Sequence, residues 1–591
     1  MTPLRIANCS GFYGDRFAAL HEVVTGGPVD VVTGDYLAEL TLLILFRSRA
    51  KDPSRGYATT FLRQLEEVLG EVADRGIKVV VNAGGLAPAA CADAVRGLAE
   101  RLGVAVPVAH VEGDDLLPKI DSLHARLSNL DTGEPLGSRT PLTANAYLGA
   151  WGIASALDAG AQVVVTGRVT DASLVVGPAA SRFGWARNDW DQLAGAVVAG
   201  HVLECGAQAT GGNYSFVRDE VAQPIHPGFP VAELFPDGTS VISKHSGTGG
   251  AVTVGTVTAQ LLYEIAGPAY AGPDVITRFD TISLADDGPD RVRISGVQGG
   301  PPSGQVKVAI NMLGGLRNRM EFVLTGLDIE DKAELALAGL RDAYPHPFEH
   351  RLVRLDRADA PTNEQASALL KVNVRGDDPA VLGRAFSNAA VELALASYPG
   401  FTLTSPPGDA SPYGIYWPAL VPAEEVEHVV VHPDGRRELI PHTPPTLTTE
   451  TITADLHAQP GPPAGSDHLG GGAGGRKTGG EVTRVPLGTL IGARSGDKGG
   501  NANVGFWARS DEAAAWLLGW LDEKAFRALL PEADGLPVDI YPLPNLRAVN
   551  VVVVGLLGEG VAASTRFDPQ AKGLGEYLRS RHVDIPVTLL P

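Results

Sequence analysis

The sequence predicts a mixed α/β protein: a large N-terminal region built on a mostly parallel sheet, an α+β continuation, and a small C-terminal α/β unit. Three observations carry this. Short β-branched runs alternate with helix-patterned segments through the first 170 or so residues. The pattern turns strand-rich from about Thr281. A stretch from His457 to Gly480 with nine Gly and three Pro in 24 residues then cuts off the remainder, because such a composition cannot bury enough apolar surface to fold. The expected division is 1–280, 281–456, a flexible linker at 457–480, and a separate unit at 481–591.

Each element follows from local pattern. Arg5 to Cys9, Val29 to Thr33 and Lys78 to Asn82 are short apolar runs that end at polar or glycine residues, as strands do. Ala58 to Arg75 between the latter two is helical in period, and Ala89 to Arg101 precedes a further run, Val104 to Val111. Ala144 to Ala159 reads as the helix before Val163 to Thr166. Beyond residue 281, Arg291 to Ser295, Gln305 to Ile310, Met320 to Leu324 and Leu369 to Arg375 read as strands, with a helix at Gly383 to Ala396.

Composition excludes several classes of protein. The formal charge is −20, from 48 Lys and Arg against 68 Asp and Glu, so the average field repels nucleic-acid phosphates. Cys9, Cys91 and Cys205 are too scattered for a disulfide framework or a metal knuckle. The start lacks the pattern of a secretory signal, and the strongest apolar runs, Leu40 to Phe46 and Val551 to Leu557, are far shorter than the ~20 residues that span a bilayer. A cytoplasmic protein without a membrane partner is expected. Homo-oligomerisation stays open.

Polar, glycine-flanked clusters follow the predicted strands, where open parallel sheets bind ligands. Asp15 and Arg16 follow the first strand, Asp35 the second, and Asn82, Gly84 and Gly85 the third; each suits ligand binding or a tight strand-to-helix turn. Thr166, Arg168, Asp171 and Ser173 form the most polar of these ends. There Arg168 is an anion clamp and Asp171 a general base, or the two form an ion pair. Glu204 and Cys205 end an apolar helix-like run, with His201 four residues before the cysteine, and Asn213 lies just beyond. Lys244 and His245 lead into Ser246-Gly247-Thr248-Gly249-Gly250, a glycine-rich approach to a helix that suits an anion, with the lysine and histidine supplying charge or proton transfer. It is neither a Walker A loop nor a dinucleotide fingerprint. Past the linker, Asp497, Lys498 and Asn501 lie in a polar loop, Arg494 to Asn503, between two apolar segments. No metal-ligand signature is visible, although scattered Asp, Glu and His can still converge in space.

Taken together, Ser10 to Arg16, Asn82 to Pro88, Thr166 to Ser173, Cys205 to Asn213, Lys244 to Gly250 and Arg494 to Asn503 resemble the acyclic terpene utilisation AtuA family, on both sides of the linker. The resemblance implies an α/β N-terminal domain and a ferredoxin-like C-terminal domain, compatible with the order strand, strand, helix Asp511 to Leu530, strands, helix Lys572 to Arg581. It also implies a place in bacterial catabolism of citronellol and geraniol, beside acyl-CoA dehydrogenases, a biotin-dependent carboxylase, a hydratase and a lyase. Coenzyme A thioesters of branched acids are the substrates this implies, and the resemblance assigns no definite cofactor or metal. One reading is an enzyme that hydrates, cleaves or hydrolyses a branched acyl-CoA or 3-hydroxyacyl-CoA. The other is a non-catalytic partner that binds such a ligand or assembles with a carboxylase or dehydrogenase.

Overall fold

The computed structural model describes residues 2–445 and 481–591, so the expected linker at 457–480 lies outside the described residues. Eleven strands form the main sheet: β1 (Leu4–Asn8), β2 (Val31–Gly34), β3 (Lys78–Val81), β4 (Val108–Glu112), β5 (Val163–Thr166), β6 (Pro230–Leu234), β7 (Ser240–Lys244), β8 (Ser283–Asp286), β9 (Val292–Ser295), β10 (Val429–Val431) and β11 (Arg437–Leu439). Their order is β8-β9-β7-β6-β1-β2-β3-β5-β4-β10-β11. The central run β1-β2-β3-β5-β4 is parallel, and antiparallel strands extend it on both sides. The change of sequence pattern near residue 280 thus coincides with added antiparallel strands of this same sheet.

Parallel strands covered on both faces read as continuous apolar runs, which is why Val79, Val80 and Val81 are all buried. Ala7, Val32, Val79, Val81, Val163 and Val165 share a core with helices Ala19–Thr25, Thr59–Asp74 and Pro88–Leu102. Phe61, Leu65, Val68, Leu69 and Val72 recur at helical spacing and form the buried stripe of the second of these. Pro88 in the first turn and Gly103 in the left-handed conformation set the ends of the third. Helix Ser173–Phe183 packs on β1 and β2, and helix Trp190–Leu203, buried continuously from Leu193, packs on β6.

Several expectations change. Pro141–Ala146 is a strand, and the helix expected from Ala144 begins only at Trp151. Leu40 to Phe46, an apolar run that suggests a buried core segment, belongs to helix Glu39–Lys51 and leaves Leu40 and Ile44 exposed. Gln305–Thr325 is one long strand across the glycines that read as a break between two. Among the described residues, no helix is long and apolar enough to cross a membrane.

Residues Met312–Ile415 form a compact unit of their own. Its antiparallel sheet pairs Leu316–Thr325 with Ser367–Gly376, which also pairs with Glu349–Val353. Helix Ile329–Ala343, absent from the sequence reading, buries Ala333, Leu337 and Leu340 in a core with Phe322, Leu370 and Phe386.

The C-terminal domain, part of the larger compact unit, has a four-stranded antiparallel sheet in the order Ile491–Lys498, Asn501–Ala508, Ala548–Val553, Val538–Leu543. Helices Asp511–Trp520, Glu523–Leu529 and Leu574–Ser580 accompany it. The segment Arg494 to Asn503, expected to be a loop, is instead a hairpin paired up to Lys498 and Asn501, with Gly499 and Gly500 making the two-residue turn. Diglycine satisfies a tight hairpin at no steric cost, so the polar residues around it stay in the ladder. Gly496 lies against the Tyr263 ring and Gly505 against Leu262, where a Cβ would not fit.

The sheet also caps helix Val254–Glu264. Asn503 Nδ2 donates to the carbonyls of Leu262 at 2.8 Å and Ile265 at 3.1 Å, and Asn550 Nδ2 to those of Ile265 at 3.0 Å and Ala266 at 2.6 Å. These side chains satisfy carbonyls that a helix end leaves open. Replacing either asparagine with Ala is expected to destabilise the protein by about 1–3 kcal/mol, because the carbonyls stay buried without donors. Denaturant unfolding of both variants checks this; midpoints equal to wild type would show that the cap contributes nothing.

Candidate functional site

The carboxyl ends of β2, β3 and β5 supply one wall of a buried polar cluster. Asp35 directly follows β2 and folds back, its Oδ1 accepting from Leu37 N at 2.9 Å and from Asn82 Nδ2 at 2.6 Å. Asn82, at the end of β3, also accepts from Tyr36 N at 2.7 Å, so the two strand ends hold each other. Arg168 follows β5. Its Nη1 donates to Leu37 O at 2.8 Å, its Nη2 lies 2.9 Å from Asp171 Oδ1, and its guanidinium stacks 4.2 Å from the centroid of the Tyr147 ring. Arg168 is 4% exposed at the side chain and Asp171 28%, with Asp171 Oδ1 itself buried.

The backbone beneath is tightly built. Arg168 N and Asn145 Nδ2 both donate to Asp114 Oδ2, at 2.9 and 2.8 Å. Gly167 leaves room for that carboxylate, and Gly84 leaves room for the carbonyl of Thr166.

Two helix ends supply the opposite wall. Asn8 on β1 donates through Nδ2 to Leu203 O at 2.7 Å and Glu204 O at 3.1 Å, fixing the end of helix Trp190–Leu203 on the sheet. His201 Nδ1 then lies 3.1 Å from Glu204 Oε1. Glu264, the last residue of its helix, accepts from Cys205 Sγ at 2.9 Å and from Gln260 Nε2 at 3.1 Å, and Lys498 Nζ sits 3.9 Å from its Oε2. Donor atoms of Asp35, Asp171 and Glu204 lie within 4.8 Å of one another, as do those of His201, Glu204 and Glu264. Glu204 belongs to both sets.

Burial sets the electrostatics. It pushes Asp35 above the usual carboxylate range although Arg168 and Asn82 pull the other way. Glu204 is pushed well up by burial and by the neighbouring Glu264 and Asp171 charges. Burial acts on Glu264 too, but the Lys498 ammonium and the Cys205 hydrogen bond outweigh it and hold this acid low. His201 falls to about 4 through desolvation. The Cys205 thiol is raised well above its ordinary value by burial and by Glu264 and Glu204, the reverse of what a nucleophile needs. The four-residue spacing would allow His201 to act as base toward a Cys205 nucleophile, but this has no support: the imidazole turns to Glu204, and the thiol is itself a donor to Glu264.

Of the residues singled out in the sequence, Asp35, Asn82, Arg168 and Asp171 meet in this cluster, Lys498 reaches it, and Thr166 and Ser173 are buried at its base. The others fall elsewhere. His245 is packed against Gly26 and Gly27 with Nε2 3.0 Å from Val23 O, and Lys244 pairs with Asp290 at 3.0 Å and donates to Thr248 O. The amides of Gly250 and Ala251 donate to Gln223 O and Thr210 O. Gly249 and Gly250 are glycines because that same backbone approaches too closely for a Cβ, which leaves these amides no role on an anion; Ser246 and Gly247 complete the turn beside them. Asp15 caps its own loop through Gly11 N and Arg16 N, and Arg16 pairs with Glu22. Gly85 adopts φ 53° against Leu45. Asn213, at φ 58°, offers its carbonyl to Arg494. Asp497 lies on the C-terminal hairpin, and Asn501 beside its turn donates to Asp131 at 2.9 Å. The sequence reading missed Asn8, Asp114, Gln260 and Glu264. The i, i+4 spacing of the last two on one helical face was the available signal.

Asp114 gives a test of this architecture by pH. Burial raises its acid to about 7 against a usual 3.8, overriding its hydrogen bonds. The native state thus holds a proton that the unfolded chain releases. The corresponding stability is fully present below pH about 4 and is lost as pH rises to about 7, at up to about 1.4 kcal/mol per unit. Asp114→Asn removes the titration, so the stability difference is expected to move in favour of the variant across that window. A difference that stays flat from pH 4 to pH 8 would refute it.

Two family profiles match the chain. The acyclic terpene utilisation family protein AtuA covers residues 4–432, and the AtuA ferredoxin-like domain covers 485–584. No curated protein and no solved structure matches. The first profile alone spans well over half of the chain, including every strand-end residue of the cluster, and the second assigns the C-terminal domain its ferredoxin-like fold. The chain belongs to the acyclic terpene utilisation AtuA family.

Proposed function

We propose that the chain is an enzyme of acyclic terpene utilisation that moves a proton at the C3 oxygen of a branched acyl-CoA or 3-hydroxyacyl-CoA. The observation that carries this is Asp171, a partly exposed acid held by the buried Arg168 just beyond the end of a parallel strand. Hydration and carbon–carbon lysis both need one base at that oxygen. In hydration, Asp171 takes a proton from water as the C–O bond forms at C3, the π electrons move toward the thioester carbonyl, and a proton lands on C2. In lysis, Asp171 takes the 3-hydroxyl proton, the C2–C3 bond breaks with its electron pair going to the thioester enolate, a carbonyl is left at C3, and a proton lands on C2. Thioester hydrolysis through a cysteine finds no support in the raised Cys205 thiol. Arg168 is a positioning residue in this scheme, since it touches Leu37 O, Tyr147 and Asp171.

An anionic substrate is supported by a local exception to the acidic surface. Arg494, Lys498 and Lys572 converge on Tyr263, their charged groups 4.7, 5.2 and 5.9 Å from the ring centroid. Arg494 is 8% exposed, and its Nη2 has no hydrogen-bond partner among the described residues. A buried guanidinium with an unused donor suits a phosphate or carboxylate oxygen.

Incubation with 3-methylglutaconyl-CoA, 3-hydroxy-3-methylglutaryl-CoA and longer branched thioesters, followed by mass spectrometry, is expected to show gain or loss of water or release of a cleaved acid. On the substrate so found, Asp171→Asn should lower kcat by about 10²-fold or more. Arg168→Lys, which keeps the charge but loses the planar fork, should cost less. Binding of the thioesters without turnover would favour the assembly-partner reading, and unchanged kcat in Asp171→Asn would remove its role as base.

A further inference from the structure

We propose that His201, Glu204 and Glu264 are the three protein ligands of a divalent transition-metal site. The sequence presents two of them as His-x-x-Glu at the end of one helix, a spacing of three that puts both on one face, and the third at the end of another helix. One nitrogen and two carboxylates are a donor set typical of zinc, manganese or cobalt, and three protein ligands leave a position open for water or substrate.

The geometry is close to what such an ion needs. Metal–ligand bonds of about 2.1 Å in a tetrahedral site place donors about 3.4 Å apart. Here the three donor atoms lie within 4.8 Å of one another, and His201 Nδ1 is already 3.1 Å from Glu204 Oε1.

An independent observation separates this cluster from an ordinary group of acids. Glu204 Oε2 is fully buried and has no hydrogen-bond partner among the described residues, although Glu204 is only 7% exposed. His201 Nε2, on a residue 2% exposed, also lacks one. Buried polar atoms are nearly always satisfied, so an acid oxygen that meets no donor calls for a proton of its own or for a cation.

The surroundings are those of a supported site. Gln260 Nε2 donates both to His201 O and to Glu264 Oε1, each at 3.1 Å, tying a ligand of one helix to the backbone of the other. Asn8 fixes the carbonyls of Leu203 and Glu204, while Tyr270 and Phe279 stack edge-on to the His201 ring at 4.5 and 5.6 Å and keep one side dry. Outer partners of this kind orient ligands and tune the ion. Glu204 also belongs to the set with Asp35 and Asp171, so an ion here adjoins the carboxylate proposed as base, while the assignment itself stands without that reading.

The test uses the full chain stripped with a chelator and titrated with Co²⁺, Mn²⁺ and Zn²⁺, read by calorimetry and, for cobalt, by visible absorption. Saturable binding of one ion per chain, with tetrahedral or five-coordinate cobalt bands, is expected. Glu264→Gln and His201→Gln should each weaken binding by at least about tenfold. Far-UV circular dichroism of the metal-free variants separates loss of a ligand from loss of fold, and the wild-type stoichiometry decides the matter even if a variant fails to fold. Absence of saturable binding of all three ions, or unchanged affinity and spectrum in a folded Glu264→Gln, would overturn the site. Both outcomes are read without any substrate, so they stand apart from the acyl-CoA proposal.

Discussion

Arg168 is the fixed charge around which the site is arranged. Its side chain reaches a carbonyl after β2, a carboxylate at the head of the next helix and the face of Tyr147, while its backbone amide is held by Asp114. A buried guanidinium needs donors spent on several acceptors at once, and a strand end is where carbonyls, carboxylates and an aromatic ring can be brought within reach of one planar fork. Asp35, Asn82 and Asp171 thus stand in a common frame, and the second wall, carrying Glu204 and Glu264, meets that frame through the shared position of Glu204.

The parallel core was legible because its signals are local. Runs such as Val163 to Thr166 carry β-branched residues buried on both faces, and Thr59–Asp74 carries a continuous apolar stripe, so period and composition suffice. Failures fell where tertiary contact decides. Ala144–Ala146, which read as the start of a helix, end the strand Pro141–Ala146, and Leu316–Thr325 pairs along its length with a partner strand ten residues long. The polar hairpin around Gly499 read as a loop because its charges are conspicuous, whereas its glycines are fitted to the side chains of Tyr263 and Leu262, which lie far away in sequence.

The site was half legible for the same reason. Strand-end positions can be found by following each strand to its carboxyl end, which singles out Asp35, Asn82, Arg168 and Asp171; that the four meet in one cluster is visible only in the fold. Glu264 and Asn8 carry no such mark: one is an acid at the close of an apolar helix, the other a polar residue within a strand, and only the fold brings them to Glu204 and its carbonyl. The glycine-rich run at Gly247 to Gly250 misled in the opposite way. Glycine permits close approach of any partner, and here the partner is the chain itself at Gln223 to Pro227.

The asparagine cap gives the chain an order of assembly. Lys498, the ammonium facing Glu264, and Asn503 and Asn550, which close the helix carrying that acid, are all contributed by the last hundred or so residues. During synthesis the parallel sheet can form long before any of them exists, and the cluster at its edge then stands without its counter-charge and with helix carbonyls open to water. The centre is therefore complete only in a chain that reaches past Asn550.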